Sequence, residues 1–307
     1  MAFVLQENIE AKKVPEVLLN SGHKMPMIGL GTSVTPLPPH QTLIQIFIDA
    51  FEAGYTHFDT AFLYGTEEPL GIALAKALEL GIVNSRHEAF ITSKLWCNNA
   101  YHDLVLPALK TTLKKLGLDY LDLYLIHMPV RLKPEVDGVL EIRKENLLPF
   151  DMKGTWEAME ECQRLGLARS IGVSGNEPIM ATRKLIEFCK QKRIHLAAWS
   201  PLGSYTKLWG TNSVMESPII NEITISKHKS VPQVALKWIL EQGAIPIVKS
   251  FNKERMRENL EIFEWELSQE ESQKFSQIPQ RRMFSGEIFV SENGPYKSLE
   301  EFWDAES

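Results

Sequence analysis

Apolar and polar residues alternate along this chain in blocks that predict strands and helices in turn. Short apolar runs rich in β-branched residues are separated by longer stretches with a helical period. This pattern is typical of repeated βα units around a parallel sheet. The chain holds seven strand candidates, at Met27–Thr32, Thr56–Thr60, Ala89–Lys94, Leu121–His127, Arg169–Ser174, His195–Ser200 and Ile245–Ser250.

Capping residues mark the ends of several helices between these strands. Gly54 follows one apolar helical face, at the position where a left-handed C-cap is expected. Ser230 is a candidate N-cap for a helix that ends before Gly243. Ser268 and Glu271 have the spacing of a capping box for a late helix.

Nothing in the sequence divides the chain into separate domains. The 307 residues contain no linker or low-complexity segment, so 1–307 are predicted to form one barrel domain. Two weakly patterned stretches, 129–151 and the tail after Ile278, are interpreted as loops around one face of the barrel. The content of 44% hydrophobic and 23% charged residues is that of an ordinary soluble globular protein.

Charge and targeting features narrow the possible partners. The net charge is −6 and no basic block is present, which disfavours nucleic acid as a partner. No apolar run has the length of a signal peptide or a membrane span, so a cytoplasmic protein without a membrane partner is expected. The three cysteines lie far apart and are expected to be reduced, which fits that compartment. The protein is expected to be a monomer.

Four polar side chains fall at the C-terminal ends of predicted strands. Asp59, Lys94 and His127 lie at the ends of three strands, and Tyr64 lies in the loop after the first of these. The active site of a parallel barrel is assembled at that end of the strands. We therefore expect the four side chains to share one mouth.

These residue types can transfer a proton to a carbonyl oxygen. A nearby ammonium, Lys94, can stabilise the anion of Tyr64 and move the phenol pKa towards neutrality, while Asp59 holds Lys94 charged. His127 can donate a hydrogen bond that polarises the carbonyl. A lone strand-end histidine or a single buried ion pair is more often structural, so the inference depends on all four residues together. No His-Glu-x-x-His or Gly-x-Ser-x-Gly motif is present, which disfavours metal and acyl-transfer chemistry.

Four longer motifs surround these residues and together are highly specific. They are GYTHFDTAFLYGTEEPLG at 54–71, ITSKLW at 91–96, LDYLDLYLIHMP at 118–129 and IVKSFNKERMRENL at 247–260. The chain resembles the aldo-keto reductase family over nearly its whole length. This resemblance implies a (β/α)8 TIM-type barrel that uses NADPH to reduce a small-molecule carbonyl. It also implies a catalytic tetrad of Asp59, Tyr64, Lys94 and His127.

The same resemblance assigns residues to the cofactor. Lys249, Ser250 and Arg255 would hold the 2′-phosphate of NADPH, and two cations with a hydroxyl beside a helix N-terminus suit that dianion. The other implied cofactor contacts are Thr32, Asp59, Ser174, Trp199, Ser200, Leu202 and Ser204, with Phe251, Glu258 and Asn259 near the adenine.

The substrate would meet His127 and Trp96 at the mouth of the barrel. The tail from Arg281 to Trp303 would line the same pocket, although a core or lid role for these aromatic residues remains the alternative. Three segments, SKLWC, LPFDMKGTWEAMEECQRLGLARSIGVS and SENGPYKSLEEFWD, resemble the plant branch of the family. That branch includes alkaloid ketone reductases and chalcone (polyketide) reductases, so a role in specialised metabolism is expected.

The sequence departs from the family pattern after Ser174. It continues directly into a helix predicted from Pro178 to Lys192, so a βα unit of roughly two dozen residues is absent. The family's Asn and Gln that hold the nicotinamide carboxamide are missing, and Gly175 stands in place of the Asn. A barrel that lacks one strand has two unpaired edges and is expected to be less stable and less active.

This departure leaves a second function open. The chain could be a catalytically impaired relative that binds the cofactor weakly and reduces nothing. A channel-accessory role, known for other relatives of this fold, is disfavoured because those proteins have a different cofactor clamp.

Overall fold

The computed structural model describes residues 14–135, 142–174, 183–203, 212–278 and 285–303. Its strands are β1 Glu16–Leu18, β2 Lys24–Pro26, β3 Gly29–Gly31, β4 His57–Asp59, β5 Phe90–Leu95, β6 Leu121–Ile126, β7 Arg131–Leu132, β8 Leu147–Leu148, β9 Ala168–Val173, β10 Leu196–Trp199 and β11 Ala244–Val248. Its helices are α1 His40–Ala53, α2 Glu67–Glu79, α3 Val105–Leu116, α4 Met152–Arg164, α5 Arg183–Lys192, α6 Pro218–Lys227, α7 Val231–Glu241, α8 Lys253–Leu260, α9 Gln269–Phe275 and α10 Leu299–Phe302.

Seven of these strands form one parallel sheet that curls into an incomplete barrel. Their order is β10, β11, β3, β4, β5, β6, β9, with every neighbouring pair parallel. All seven strands predicted from the sequence are present, and their ends differ from the predicted ones by at most two residues. The helices carry their apolar faces against the sheet, and the resulting core includes Phe47 of α1, Leu74 of α2 and Leu109 of α3. The predicted βα architecture is confirmed.

The sheet has two free edges, at β9 and β10, within the part of the chain that the structure describes. The N–H of Ser174 donates to the carbonyl of Ile126 at 2.7 Å, and Gly172 pairs with Leu125. Alternate residues of a strand direct their backbone groups to opposite sides. Ile171 and Val173 therefore direct their N–H and C=O groups away from β6, towards the free edge.

A hairpin that sequence analysis missed closes the N-terminal end of the sheet. β1 pairs antiparallel with β2, and Met25 packs with Phe90 and Leu123 inside the curled sheet. The hairpin also reaches both edge strands, because Ser21 Oγ lies 2.7 Å from Ser170 Oγ and the Leu18 carbonyl lies 2.9 Å from His195 Nε2. The two strands pair with each other outside the main sheet, and a pattern of repeated βα units does not predict such a hairpin.

The predicted caps are confirmed. Gly54 ends α1 with a φ of 105°, a left-handed conformation that favours glycine. Ser230 forms a complete capping box with Gln233, and Ser268 does so with Glu271.

The two stretches interpreted as loops contain some regular structure. In the first, β7 pairs antiparallel with β8 as a small hairpin. In the second, α10 lies near the end of the described tail. The loop interpretation was wrong for these pieces, because strands of two residues and a helix of four have no detectable period.

Candidate active site

The four predicted catalytic side chains meet at the C-terminal end of the sheet. Asp59 is the last residue of β4, Lys94 lies near the end of β5, and His127 directly follows β6. Tyr64 lies in a 3-10 turn, Phe62–Tyr64, that ends at Gly65 with a φ of 67°. The left-handed glycine fixes where this turn ends, and so places the phenol over the strand ends.

Lys94 lies at the centre of the group and is almost fully buried. Its Nζ donates to Asp59 Oδ1 at 2.5 Å and to the Thr60 carbonyl at 3.0 Å. The same nitrogen lies 3.4 Å from the Tyr64 hydroxyl. Three acceptors thus match the three hydrogens of the ammonium, and the geometry agrees with the roles expected for Lys94 and Asp59.

Burial dominates the electrostatics of Tyr64 and Asp59. It raises the pKa of Tyr64 above its usual value, and the Lys94 ammonium only partly offsets this effect. The expectation that Lys94 moves the Tyr64 pKa towards neutrality is therefore wrong in its net direction, because desolvation of the phenolate is the larger effect. Burial likewise raises the pKa of Asp59, against the opposing charge of Lys94.

Lys94 stays protonated. Burial by itself lowers the pKa of Lys94, but the Asp59 carboxylate and the Tyr64 phenol together outweigh it, so the pKa lies above its usual value. A permanent positive charge next to the phenol favours the phenolate at the moment when the proton leaves.

His127 presents a neutral imidazole to the same point. Its Nε2 lies 3.3 Å from the Tyr64 hydroxyl. Burial, with a smaller contribution from the Lys94 charge, lowers the pKa of His127 well below its usual value. A neutral imidazole carries one N–H, which can donate to an oxygen held beside Tyr64.

Aromatic side chains form an apolar wall next to His127. The Trp96 ring packs edge-on to His127, with the ring centroids 5.2 Å apart. Phe289 is buried in the same cluster, and Phe302 and Trp303 of the tail pack against it. The structure thus brings Trp96 together with the described part of the predicted tail, whereas residues 281–284 of that tail lie outside the described residues.

Two of the predicted phosphate-binding residues, Lys249 and Ser250, lie between β11 and α8, and the third, Arg255, lies in the first turn of α8. Lys249 and Arg255 are both exposed, and neither has a carboxylate within ion-pair distance in the described part of the chain. Asn252 caps α8 through the Arg255 N–H at 2.9 Å. Two uncompensated cations at a helix N-terminus fit the 2′-phosphate of NADPH by their chemistry.

The residues expected near the adenine lie around the same helix. Phe251 is half-buried and its ring centroid is 5.9 Å from the Lys249 ammonium, whereas Glu258 is exposed. Asn259 is buried and lies near the Tyr55 side chain.

The residues expected near the nicotinamide and pyrophosphate lie at the ends of the remaining strands. Ser174 directly follows β9, while Trp199 ends β10 and is followed by Ser200, which has a φ of 47°. Leu202 packs between two core clusters. Ser204 lies outside the described residues.

Thr32 differs from what its predicted role suggests, since it is fully buried. Its hydroxyl donates to the Asp59 carbonyl at 3.1 Å and lies 2.7 Å from the Thr66 hydroxyl. Sequence reasoning did not single out Thr60 or Thr66. Only their contacts in the structure distinguish them from other buried threonines.

Comparisons with known proteins identify the family of this chain. The family model "Aldo/keto reductase family" matches residues 27–184 and 178–279. The chain belongs to the aldo/keto reductase family. This membership confirms the predicted class of enzyme, an NADP-dependent oxidoreductase, and the predicted resemblance to plant members.

Plant members of the aldo/keto reductase family match this chain over nearly its whole length. Rhazimal reductase 2 of Alstonia scholaris is 53% identical, with 96% of this chain and 98% of the relative covered. NADPH-dependent codeinone reductase 1-1 of Papaver somniferum is 47% identical, with 96% and 99% covered. A solved aldo-keto reductase of Bombyx mori in complex with NADP is 33% identical and has a TM-score of 0.79, with 89% and 95% covered.

The comparisons also show where this aldo/keto reductase differs from its family. The family model matches in two pieces that overlap at 178–184, close to the break predicted after Ser174. The alignment to the Alstonia relative spans 318 positions, more than the 307 residues of this chain. The relative therefore has a segment without a counterpart here, as the seven-strand sheet also indicates.

The described residues contain neither a membrane-spanning helix nor a cluster of metal ligands. No helix there is long and apolar enough to cross a membrane. No group of three or more His, Cys, Asp or Glu side chains in those ranges could hold a metal ion.

Proposed function

We propose that this aldo/keto reductase reduces a small-molecule ketone or aldehyde to an alcohol with NADPH, in plant specialised metabolism of alkaloids or polyketides. The observation that supports it most directly is the convergence of Asp59, Tyr64, Lys94 and His127 within hydrogen-bonding distances of one another. Relatives that act on plant ketones and aldehydes, such as the codeinone reductases, support the substrate class.

Each of the four side chains has a separate role in the proton transfer. Bound NADPH would supply a hydride to the carbonyl carbon. His127 Nε2 and the Tyr64 hydroxyl, 3.3 Å apart, both reach the position that a carbonyl oxygen would take. Tyr64 gives its proton to that oxygen, and Lys94 stabilises the phenolate that remains, while Asp59 keeps Lys94 in place.

The aromatic wall indicates what kind of carbonyl compound would fit. Trp96, Phe302 and Trp303 offer apolar and aromatic surface beside His127. Such surface favours a substrate with substantial hydrocarbon bulk around its carbonyl group over a small polar sugar. We propose that the protein acts as a monomer, since the four catalytic residues all come from one chain.

NADPH oxidation tests this function. The protein is mixed with NADPH and a panel of alkaloid, polyketide and simple ketones and aldehydes, and absorbance at 340 nm is followed. We expect turnover with at least one bulky carbonyl compound. No turnover with the whole panel, in protein that binds NADPH, would instead favour the catalytically impaired relative. The comparisons give that alternative no support.

A further inference from the structure

Three threonine hydroxyls form a continuous chain beneath the catalytic group. Thr32 follows β3, Thr60 follows β4 and Thr66 precedes α2, and all three are 0% exposed. The Thr66 hydroxyl lies 2.7 Å from that of Thr32 and 2.8 Å from that of Thr60. We call these three residues the threonine bridge.

The three hydroxyl groups of the threonine bridge can donate their hydrogens in one order only. Thr32 donates its hydroxyl hydrogen to the Asp59 carbonyl at 3.1 Å. Because a hydroxyl has a single hydrogen, Thr66 then donates to Thr32, and Thr60 donates to Thr66. Each hydroxyl hydrogen is used once, and no buried donor is left unsatisfied.

The bridge is attached to both residues of one peptide unit. It ends on the carbonyl of Asp59 and begins on the side chain of Thr60. These same two residues supply Asp59 Oδ1 and the Thr60 carbonyl, two of the three acceptors of the Lys94 ammonium. The placement of these two residues therefore sets where Lys94 lies relative to Tyr64.

The position of Thr66 shows that its hydroxyl serves the bridge. Thr66 is the N-cap of α2, a position where threonine normally accepts a hydrogen bond from the first turn, yet its side chain makes no capping bond. The N-cap side chains of six other described helices do cap, namely Asp151, Ser217, Ser230, Asn252, Ser268 and Ser298.

We propose that Thr66 is a positioning residue of this reductase, which holds the Asp59–Thr60 segment so that Asp59 Oδ1 and the Thr60 carbonyl both reach Lys94. This inference rests on the function proposed above. Thr66 acts through Thr32 and Thr60, and the reacting group is Tyr64.

Isosteric substitution tests the role of Thr66. Thr66→Val removes the hydroxyl and keeps the shape, and Thr66→Ser restores the hydroxyl. Thr155→Val is the matched control, because Thr155 is also 0% exposed and donates to a backbone carbonyl, that of Ala100 at 3.2 Å, outside the site. We expect Thr66→Val to lower kcat about tenfold through misplacement of Lys94. The KM for NADPH should stay within about twofold, and Thr155→Val and Thr66→Ser should keep kcat near the parent value.

A second measurement uses the protein without cofactor. The ammonium hydrogens of Lys94 are observed by NMR in protein labelled with 15N-lysine, and the signal is assigned by its loss in Lys94→Met. Buried hydrogens held by three acceptors exchange slowly. We expect Thr66→Val to lose this signal through faster exchange, and Thr155→Val to retain it. Should Thr66→Val not fold, Thr60→Val breaks the same bridge at its other end and is expected to behave in the same way.

The outcomes separate this inference from the proposed function. If the parent protein reduces carbonyl compounds and Thr66→Val does so equally well, the positioning role is wrong and the function stands. If Thr66→Ser is as impaired as Thr66→Val, packing rather than hydrogen bonding explains the loss, and the inference is overturned. If the parent reduces nothing while the Lys94 signal responds to Thr66→Val, the proposed function fails and the role of Thr66 in holding Lys94 stands.

Discussion

Tyr64 combines a raised pKa with the proposed role of proton donor. Burial keeps the phenol protonated throughout the neutral range, so the acid form is always present when a substrate arrives. An alkoxide is a far stronger base than a phenolate, so even a phenol of raised pKa protonates it readily. The Lys94 ammonium, 3.4 Å from the phenol oxygen, then stabilises the product anion.

Removal of the Tyr64 hydroxyl should abolish reduction and leave cofactor binding almost unchanged. We expect Tyr64→Phe to lower kcat by about 10² to 10⁴, the usual contribution of a general acid. The Kd for NADPH, measured by fluorescence titration, should change little because the ring and its packing remain. Turnover within tenfold of the parent would show that another group donates the proton.

His57 is expected to make the fold sensitive to acid. It is buried at the start of β4, with Nε2 3.0 Å from the Thr92 hydroxyl, and burial lowers its pKa from 6.5 to about 3. Between these two pH values the unfolded chain binds the proton and the folded protein does not, so stability falls as pH falls through this window. The loss is on the order of 5 kcal/mol. We expect His57→Gln to flatten this part of the stability curve in urea unfolding, and His23→Gln, at an exposed position, to leave it unchanged.

At the scale of elements, the region from the end of β11 into α8 carries two kinds of basic side chain. One kind is paired with carboxylates, and the other has no carboxylate partner in the described ranges. Lys253 at the start of α8 lies 3.7 Å from Asp49 and is also paired with Glu52. Lys249 and Arg255, by contrast, have no carboxylate partner in the described ranges. The helix N-terminus adds its own partial positive charge to this pair. The two basic side chains and the N-terminus of α8 therefore suit a bound anion, such as the 2′-phosphate expected there.

Arg255→Ala should weaken NADPH binding selectively. A charge-assisted contact to the phosphate is lost, so we expect the Kd for NADPH to rise about tenfold. The Kd for NADH, which lacks this phosphate, should hardly change. Lys253→Ala is the control on the same helix, since its cation is already paired. Equal losses for the two cofactors after Arg255→Ala would place the phosphate elsewhere.

At the scale of the whole molecule, the sheet ends at β9 and β10 where a closed barrel would continue. The Gln163 side chain donates to the Arg169 carbonyl on the free edge at 3.0 Å, which satisfies one of the edge groups. Val173 at the end of β9 is 54% exposed, and Phe188 of α5 is 51% exposed. Unpaired edge groups and exposed apolar side chains are both costly. The expectation of lower stability than in a complete relative stays a prediction.

Hydrogen exchange along β9 measures the free edge directly. The N–H groups of Ser170, Gly172 and Ser174 face β6 and should exchange slowly, whereas those of Ile171 and Val173 face the edge and should exchange quickly. The two groups of N–H donors alternate within one strand, so each group serves as the control for the other. General burial of the strand would slow exchange in both groups alike. Slow exchange at Ile171 and Val173 would show that another segment or another molecule pairs with the edge.

The sequence alone determined the order of elements and the family, and it singled out the four residues proposed to be catalytic. Strand and helix periods are local, so the seven parallel strands could be predicted, and parallel strands place their C-terminal residues at one end of the sheet. Asp59, Lys94 and His127 could thus be assigned to one mouth without coordinates. The missing unit after Ser174 was also visible, as a departure from the family pattern.

Only the tertiary structure decided how these residues behave. The raised pKa of Tyr64 results from burial by distant parts of the chain, which no local pattern reports. The bond from Thr66 to Thr32 joins residues 34 positions apart, so the threonine bridge could not be seen in the sequence. Likewise the hairpin that reaches both edge strands depends on contacts between Ser21 and Ser170, 149 positions apart. Local sequence specifies elements, whereas desolvation and long-range hydrogen bonds depend on which elements the fold brings together.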